Sequence, residues 1–306
     1  MPTVARAWCS DVADAPLTPL VVACLRHADQ RPEVDPLTAA VTRAPRTATA
    51  SAADWGALEH ALRIAAAWSG RVLAVAAGTP AAEDTLRQAA AVGAEVLRVE
   101  TSGSYVRDIA GDERALAQAI VAGVGTVGQP ALVVCGDRSD DRGTGALPAF
   151  LAHELDAAQA LGLVRLAVDG DRLQGERRLD GGRREIVRIP RPAVCSVEGG
   201  ERLRRASLAA ILAAADATVP VYRATSGEAP DERLRLGRPR PLRPRTQVAR
   251  PPAGDSPRAR VLHLTGALAT HEPPTVVGPT DAATAVDAFL EFLDRGGYLP
   301  QEDSRE

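Results

Sequence analysis

Apolar residues first gather at Leu20 to Leu25 (LVVACL), a short run rich in β-branched side chains that predicts a buried strand. After a proline-interrupted loop the spacing turns helical from about Asp54 to Trp68, with Leu58, Leu62 and Ala65 on one face and Asp54 placed to cap it. Val72 to Ala77 repeats the buried-strand pattern. Gly78-Thr79-Pro80 then starts a helix over Ala81 to Val92, and Ala94 to Val99 is the next strand. Asp112 to Val121 reads as helix, Ala131 to Cys135 (ALVVC) as strand and Ala146 to Leu155 as helix. Strands separated by helices at such short intervals predict an α/β fold. Its parallel sheet is covered on both faces and takes ligands at the carboxyl ends of the strands.

After about Leu161 the texture changes to strand, turn, strand. Leu163 to Val168, Arg172 to Leu179, Arg184 to Ile189 and Ala193 to Val197 are the strands, and Asp180-Gly181-Gly182 is a hairpin turn. An Ala/Leu helix follows over Leu208 to Ala215; the i, i+3, i+4 placing of Leu208, Ile211 and Leu212 predicts that this face packs into the core. From about Arg223 to Arg258 the chain is rich in Pro and Arg without apolar periodicity, which reads as an extended arm or linker. Val261 to Leu264 then reads as a strand and Ala282 to Phe292 as an amphipathic helix carrying Val286, Phe289 and Phe292. The expected organisation is an N-terminal tail (1–19), a nucleotide-binding α/β domain (20–222), the arm (223–259) and a strand-helix element (260–306) that docks in cis or on a partner.

Composition narrows the chemistry. The chain is 306 residues long, 45% hydrophobic, with a net charge of −3, so it can bury a large core and offers no field for holding a nucleic-acid backbone. All 36 basic residues are Arg, which excludes Schiff-base chemistry and a phosphate-binding lysine, and with them a P-loop NTPase. Aromatics are only 3%, too few for a base-stacking platform. Cys9, Cys24, Cys135 and Cys195 are widely separated and give neither a zinc site nor a disulfide framework; isolated reduced thiols are expected. No apolar run approaches the roughly 18 to 20 residues of a membrane span. The acids and prolines between Met1 and Pro19 do not suit a signal peptide, so a cytoplasmic protein without membrane insertion is expected.

The strongest local signal is the loop Gly136-Asp137-Arg138-Ser139-Asp140-Asp141-Arg142-Gly143-Thr144-Gly145, placed after a buried strand and before a helix. Gly136, Gly143 and Gly145 allow close backbone approach, Ser139 and Thr144 add hydroxyls, and the helix start offers free N–H groups, an arrangement that suits a phosphate. A solvated βα loop whose hydroxyls merely cap the helix fits the same residues equally well. Arg138 and Arg142 would compete for Asp137, Asp140 and Asp141, which argues against a metal. The five His residues share no motif with a Ser or Cys nucleophile, and Cys135 reads as a small core residue; no catalytic residues are expected.

Several segments carry a family resemblance. Val22-Ala23-Cys24 with Asp29 and the later Val34-Asp35-Pro36, Asp54-Trp55-Gly56-Ala57-Leu58-Glu59, Ala89 to Ala94 and the Gly136 to Gly145 loop all follow one pattern. The most specific stretch is Gly175 to Ser196, through Arg177, Asp180, Gly181, Gly182, Glu185, Val187 and Pro192, departing at Cys195 where an aliphatic residue is usual. Over roughly Leu20 to Ala215 the chain resembles the β subunit of an electron transfer flavoprotein, most like the actinobacterial branch associated with mycofactocin.

The resemblance implies a parallel-sheet, Rossmann-like core of the adenine nucleotide alpha hydrolase type, with a β-hairpin insertion and an extended C-terminal arm. It implies a heterodimer with an α subunit holding most of the redox-active FAD, and AMP or a second FAD in this subunit. It also implies electron delivery from a flavin- or mycofactocin-linked dehydrogenase to a downstream acceptor by a carrier rather than an enzyme. Carried over by position, the nucleotide is held by Ala23, the segment Ser51, Ala52, Ala53 and Asp54, Ala77, and Gly136, Arg138, Ser139, Asp141, Gly143, Thr144 and Gly145. The usual Asn-Pro before the first helix is Ser51-Ala52 here, the basic residue after the first strand is Leu25, and an acidic residue before the Thr is Gly143. Leu208 matches the anchoring leucine of the family's dehydrogenase-docking segment, without the basic run that normally follows. Two other readings of the core are a stand-alone adenine-nucleotide sensor of the universal-stress type and a hydrolase or ligase. The hairpin signature and the arm speak against the first, and the lack of a basic loop or metal cluster against the second.

Overall fold

The computed structural model describes residues 18–100, 112–170, 172–223, 240–243, 251–267, 276, 278 and 280–299. The chain divides into two compact units, 1–242 and 243–306. The first is built on a nine-stranded sheet. Its parallel part contains β1 (Leu20–Leu25), β6 (Arg71–Ala77), β7 (Glu95–Glu100), β8 (Pro130–Gly136), β9 (Ala158–Asp169), β12 (Ala193–Val197) and β13 (Val221–Arg223). The antiparallel strands β10 (Arg172–Arg178) and β11 (Arg184–Ile189) extend it past β9, giving the order β11-β10-β9-β12-β8-β1-β6-β7-β13. Two small antiparallel pairs lie off the sheet: β2 (Ala28–Asp29) with β5 (Ala48–Thr49), and β3 (Glu33–Val34) with β4 (Val41–Thr42).

Helices cover both faces, as the near-continuous apolar runs of the central strands require. One core layer joins α1 (Ala52–Ala67) and α2 (Glu83–Ala91) to the sheet through Leu58, Ile64 and Leu86. The other joins α3 (Glu113–Gly125) and α4 (Leu147–Glu154) through Ile120, Val124 and Leu151. Small side chains dominate the contacts: Ala57, Ala61, Ala74, Ala89 and Ala117 are fully buried, so helix and sheet backbones approach closely.

The observed elements refine several expectations. Ser51, not Asp54, is the N-cap of α1. The Ser51 hydroxyl accepts from the Asp54 N–H at 3.0 Å while the Asp54 carboxylate accepts from the Ser51 N–H at 3.3 Å, a capping box that starts the helix two residues early. Asp112 caps α3, which runs four residues beyond the expected end. β9 begins at Ala158 rather than Leu163; its first five residues lack β-branched side chains, but Ala158, Gln159 and Ala160 pair with β12.

Between Ser207 and Asp216, α5 (Leu208–Ala215) has the boundaries the periodicity predicts, capped by Ser207. Its apolar face is not core: Leu208 is 72% exposed, Ile211 49% and Leu212 60%, and only Ala214 is buried. The i, i+3, i+4 pattern correctly marks a stripe, but none of the described residues covers it. In the second unit, α6 (Pro257–Leu264) replaces the expected strand over Val261 to Leu264. Ser256 accepts from the Ala259 N–H and Pro257 sits at the first helical position, a start signal that extends through the short apolar run. The helix expected over Ala282 to Phe292 is α7 (Ala282–Arg295), capped by Asp281, with Val286, Phe289 and Phe292 exposed on one face.

Candidate functional site

The order in which strands are laid down reverses at β1: β6 and β7 lie on one side of it and β8 on the other. Connections to opposite faces diverge there, which opens a crevice beyond the carboxyl ends of the strands, the place where open α/β sheets take ligands. A pocket lies at that point. Its floor is apolar, made by Cys24, Val75 and Ala77 at the strand ends with Leu116 and Ile120 of α3; its rim is polar, with Arg26, Asp54, Glu113 and the loop 136–145.

Each rim group is fixed by its own element. Gly136 ends β8 so close to α1 that a Cβ there would lie 2.6 Å from Asp54 Oδ1; glycine lets the first turn of α1 sit over the strand end. Beyond it the loop closes on itself: the Ser139 N–H donates to the Thr144 carbonyl at 2.8 Å and the Gly143 N–H to the Ser139 carbonyl at 2.7 Å. At Gly145 an added Cβ would collide with the Asp137 carbonyl oxygen, so the chain can pass that point only as glycine. The Thr144 hydroxyl bonds the Glu113 carboxylate, whose other oxygen, Oε2, is buried without a partner. Arg26, the first residue after β1, reaches across to Asp141 with two bonds of 2.6 Å, Nε to Oδ1 and Nη2 to Oδ2.

The Asp54 carboxyl is the most perturbed group on the rim. Burial raises its pKa from 3.8 to about 6, although N–H groups of Arg26, Ser51 and Gly136 bond it and pull the other way. Asp141 moves oppositely: burial pushes it up, but the Arg26 guanidinium outweighs this and lowers it. The Cys135 thiol is pushed well up, first by its bond with Cys24 and then by burial, so it is a protonated floor residue and no nucleophile. Arg26 is committed to Asp141, and Arg138 lies 3.4 Å from Asp137. At the start of α4 Pro148 has no N–H and the Ala149 and Phe150 N–H groups bond the Ala146 carbonyl, so the main-chain donors that the pocket lining offers a phosphate there are those of Gly145 and Leu147. Among the described residues, no cluster of three or more His, Cys, Asp or Glu could hold a metal ion.

Of the residues singled out by sequence, Asp54, Ala77, Gly136, Arg138, Ser139, Thr144 and Gly145 line this pocket. Gly143 and Asp141 shape the loop from outside the lining, the first through its left-handed φ of 68° and the second through Arg26. Ser51 acts through its capping box with Asp54. Ala23 is fully buried in the layer facing α1, and Ala52 and Ala53 open that helix; none of the three lines the pocket. Leu208 lies on α5 and lines none of it. Sequence reasoning missed Arg26 and Glu113. Arg26 stands one residue beyond Leu25, where a basic residue was missing from the pattern, and only the strand order reveals that it faces the loop.

Residues 38–226, more than half of the chain, match the model of the electron transfer flavoprotein domain. An electron transfer flavoprotein subunit beta of Thermoanaerobacterium thermosaccharolyticum is 29% identical over 161 residues, 53% of this chain and 60% of that protein. Protein FixA of Rhizobium meliloti is 30% identical over 202 residues, covering 64% and 69%. The subunit beta of Mycobacterium bovis is 32% identical over 132 residues, covering 41% and 48%, so the chain spans about half to two thirds of the length of these relatives. With a match of this extent enclosing β8, the loop 136–145, the antiparallel strands and α5, the chain belongs to the electron transfer flavoprotein domain family.

Proposed function

We propose that this chain is the β-type subunit of a two-subunit electron transfer flavoprotein, a carrier that relays electrons from a dehydrogenase to a downstream acceptor. The observation that carries the reading is the pocket at the β1/β8 reversal, inside a chain of this family. In this reading the α subunit holds the redox FAD, which supplies the electron-carrying chemistry, and this chain holds an AMP. Gly145 and Leu147 present main-chain N–H groups to the phosphate, Ser139 offers a hydroxyl while Thr144 ties the loop to Glu113, and the Cys24, Val75 and Ala77 floor takes the apolar face of the base. Asp54 is placed to accept a bond from a nucleotide hydroxyl. The chain's own side chains orient and desolvate the nucleotide and do no covalent chemistry.

In this assignment the unit that carries the sheet, β1 to β13, is the nucleotide-binding part, and α6 and α7 of the second unit form an element for the partner subunit. The exposed stripe of Leu208, Ile211 and Leu212 suits docking of a flavin-linked dehydrogenase, since a stand-alone sensor has no need of such a surface. Cytoplasmic placement belongs to the same proposal; no helix of the described residues is long and apolar enough to cross a membrane.

Coexpression with an α-type subunit tests this. The expected product is a yellow heterodimer that releases one AMP per complex on denaturation, while the chain expressed alone is colourless. A colourless homodimer that binds ATP would overturn the carrier reading in favour of the sensor, and stoichiometric flavin on the isolated chain would replace AMP by FAD in this pocket.

A further inference from the structure

From β12 the chain leaves the sheet as a strap, residues 198–207, with no regular secondary structure, and ends at the Ser207 cap of α5. A segment without its own ladder keeps its path only through side-chain ties. The principal tie is Glu59, on α1. Its side chain is 5% exposed, and its carboxylate accepts three bonds of 3.0 Å from one residue of the strap: the Arg204 N–H and Nε at Oε2, and Arg204 Nη2 at Oε1. Arg63, one turn along α1, donates to Glu59 Oε1 at 2.8 Å and to Glu201 Oε1 of the strap at 3.1 Å. The Glu201 carbonyl lies against Gly56 on the same helix. Burial pushes the Glu59 carboxyl up, but these bonds outweigh it and hold it below the ordinary carboxylate range, so it stays charged at neutral pH.

A buried carboxylate satisfied by a planar fork and a backbone N–H fixes direction as well as distance. The bonded backbone N–H of Arg204 lies four residues before Leu208, which is 72% exposed. Below Ser207, α5 also packs against α2. The tie and that packing together set the height and rotation at which the Leu208, Ile211 and Leu212 stripe meets solvent. We infer that Glu59 is a positioning residue for this stripe: through Arg204 it presents α5 to the redox partner while lying outside both the nucleotide pocket and the docking face. This rests on the docking reading of α5 given above.

The test uses the heterodimer and a flavin dehydrogenase selected because it reduces the wild-type complex, with dithionite as a reductant that needs no docking. Glu59→Gln keeps shape but loses the charge that grips the fork. It is expected to raise KM for the dehydrogenase about tenfold with kcat, AMP content and dithionite reduction unchanged, and to speed amide exchange over residues 207–216. Arg204→Gln, made from the half-exposed side of the pair, should give the same result and carries the test if Glu59→Gln does not fold. Adding Glu59→Gln to Leu208→Ala should worsen KM no further, because both act on one step. If Leu208→Ala raises KM while neither Glu59→Gln nor Arg204→Gln does, the positioning role is overturned. A parallel loss of AMP, dithionite reduction and thermal stability would also overturn it, by showing a general structural role. If Leu208→Ala itself leaves KM unchanged, the docking reading fails; unaltered exchange over 207–216 in the Glu59 and Arg204 variants would then overturn positioning as well, and faster exchange would uphold it.

Discussion

Asp54 should make the folded chain less stable as pH rises through 6. Its pKa is raised from 3.8 to about 6, chiefly by burial under Gly136 and the first turn of α1. The native state therefore binds a proton more tightly than the unfolded chain does, and stability falls with rising pH wherever the native state holds the extra proton. A gap of about 2 units at about 1.4 kcal/mol per unit makes the full effect about 3 kcal/mol, and about 2 kcal/mol of it falls between pH 4.5 and 8. Glu59 and Asp141 work in the opposite direction: their lowered pKa values stabilise the fold above the unfolded carboxylate range, a contribution lost as pH falls through the folded values. Comparing wild type with Asp54→Asn removes these shared terms. Urea unfolding of both proteins across pH 4.5 to 8 should show the advantage of wild type shrinking by about 2 kcal/mol toward pH 8. Parallel curves, or an advantage that grows with pH, would refute the assignment of Asp54 as a buried acid that charges at a cost.

Two other substitutions test the site and the exposed helix. Gly145→Val should abolish bound nucleotide, because its Cβ collides with the Asp137 carbonyl and the loop must open. Gly143→Ala, in open space at φ 68°, should cost about 1 kcal/mol and retain it; nucleotide released on denaturation and run on a column decides between these outcomes. Leu208→Ala should change stability by less than about 0.5 kcal/mol, as expected for a side chain 72% exposed, whereas a loss of about 2 to 5 kcal/mol in a thermal melt would restore the core reading.

Legibility in the sequence follows how local each signal is. β12 and α5 have the boundaries read from sequence because turn residues or a Ser cap bracket them. The loop 136–145 was visible for the same reason, lying between a Val-rich strand and a helix. Arg26 and Glu113 were not, since their roles depend on β1 lying beside β8 and on α3 beginning beside Thr144, facts of strand order that no window of sequence contains. Leu208 shows the other limit. Periodicity establishes that an apolar stripe exists, but whether the fold buries it depends on tertiary packing that no local window contains. At α6 the short run Val261-Leu262-His263-Leu264 could be strand or helix by composition, and the Ser256-Pro257 start upstream decided it.

The detour between β1 and α1 explains how a short, unremarkable segment comes to build the pocket. Arg26 leaves the sheet and the chain returns only at Ser51, yet the Arg26 N–H ends 3.3 Å from Asp54 Oδ2. An excursion of that length closes so tightly only if it is tied at its neck, and Asp29 supplies the tie: its carboxylate accepts from the Arg31 N–H at 2.9 Å, the Ala44 N–H at 2.7 Å and the Thr47 hydroxyl at 2.5 Å. The β2/β5 pair then guides the chain back to the sheet. The outer part, β3 and β4 with exposed Val34, Leu37 and Val41, contributes nothing to this closure and is free to vary with whatever it meets. Position of the rim carboxyl thus draws on a residue 25 places earlier that lies outside the pocket lining: Asp29 closes the neck, and the closed neck brings the Arg26 N–H to Asp54.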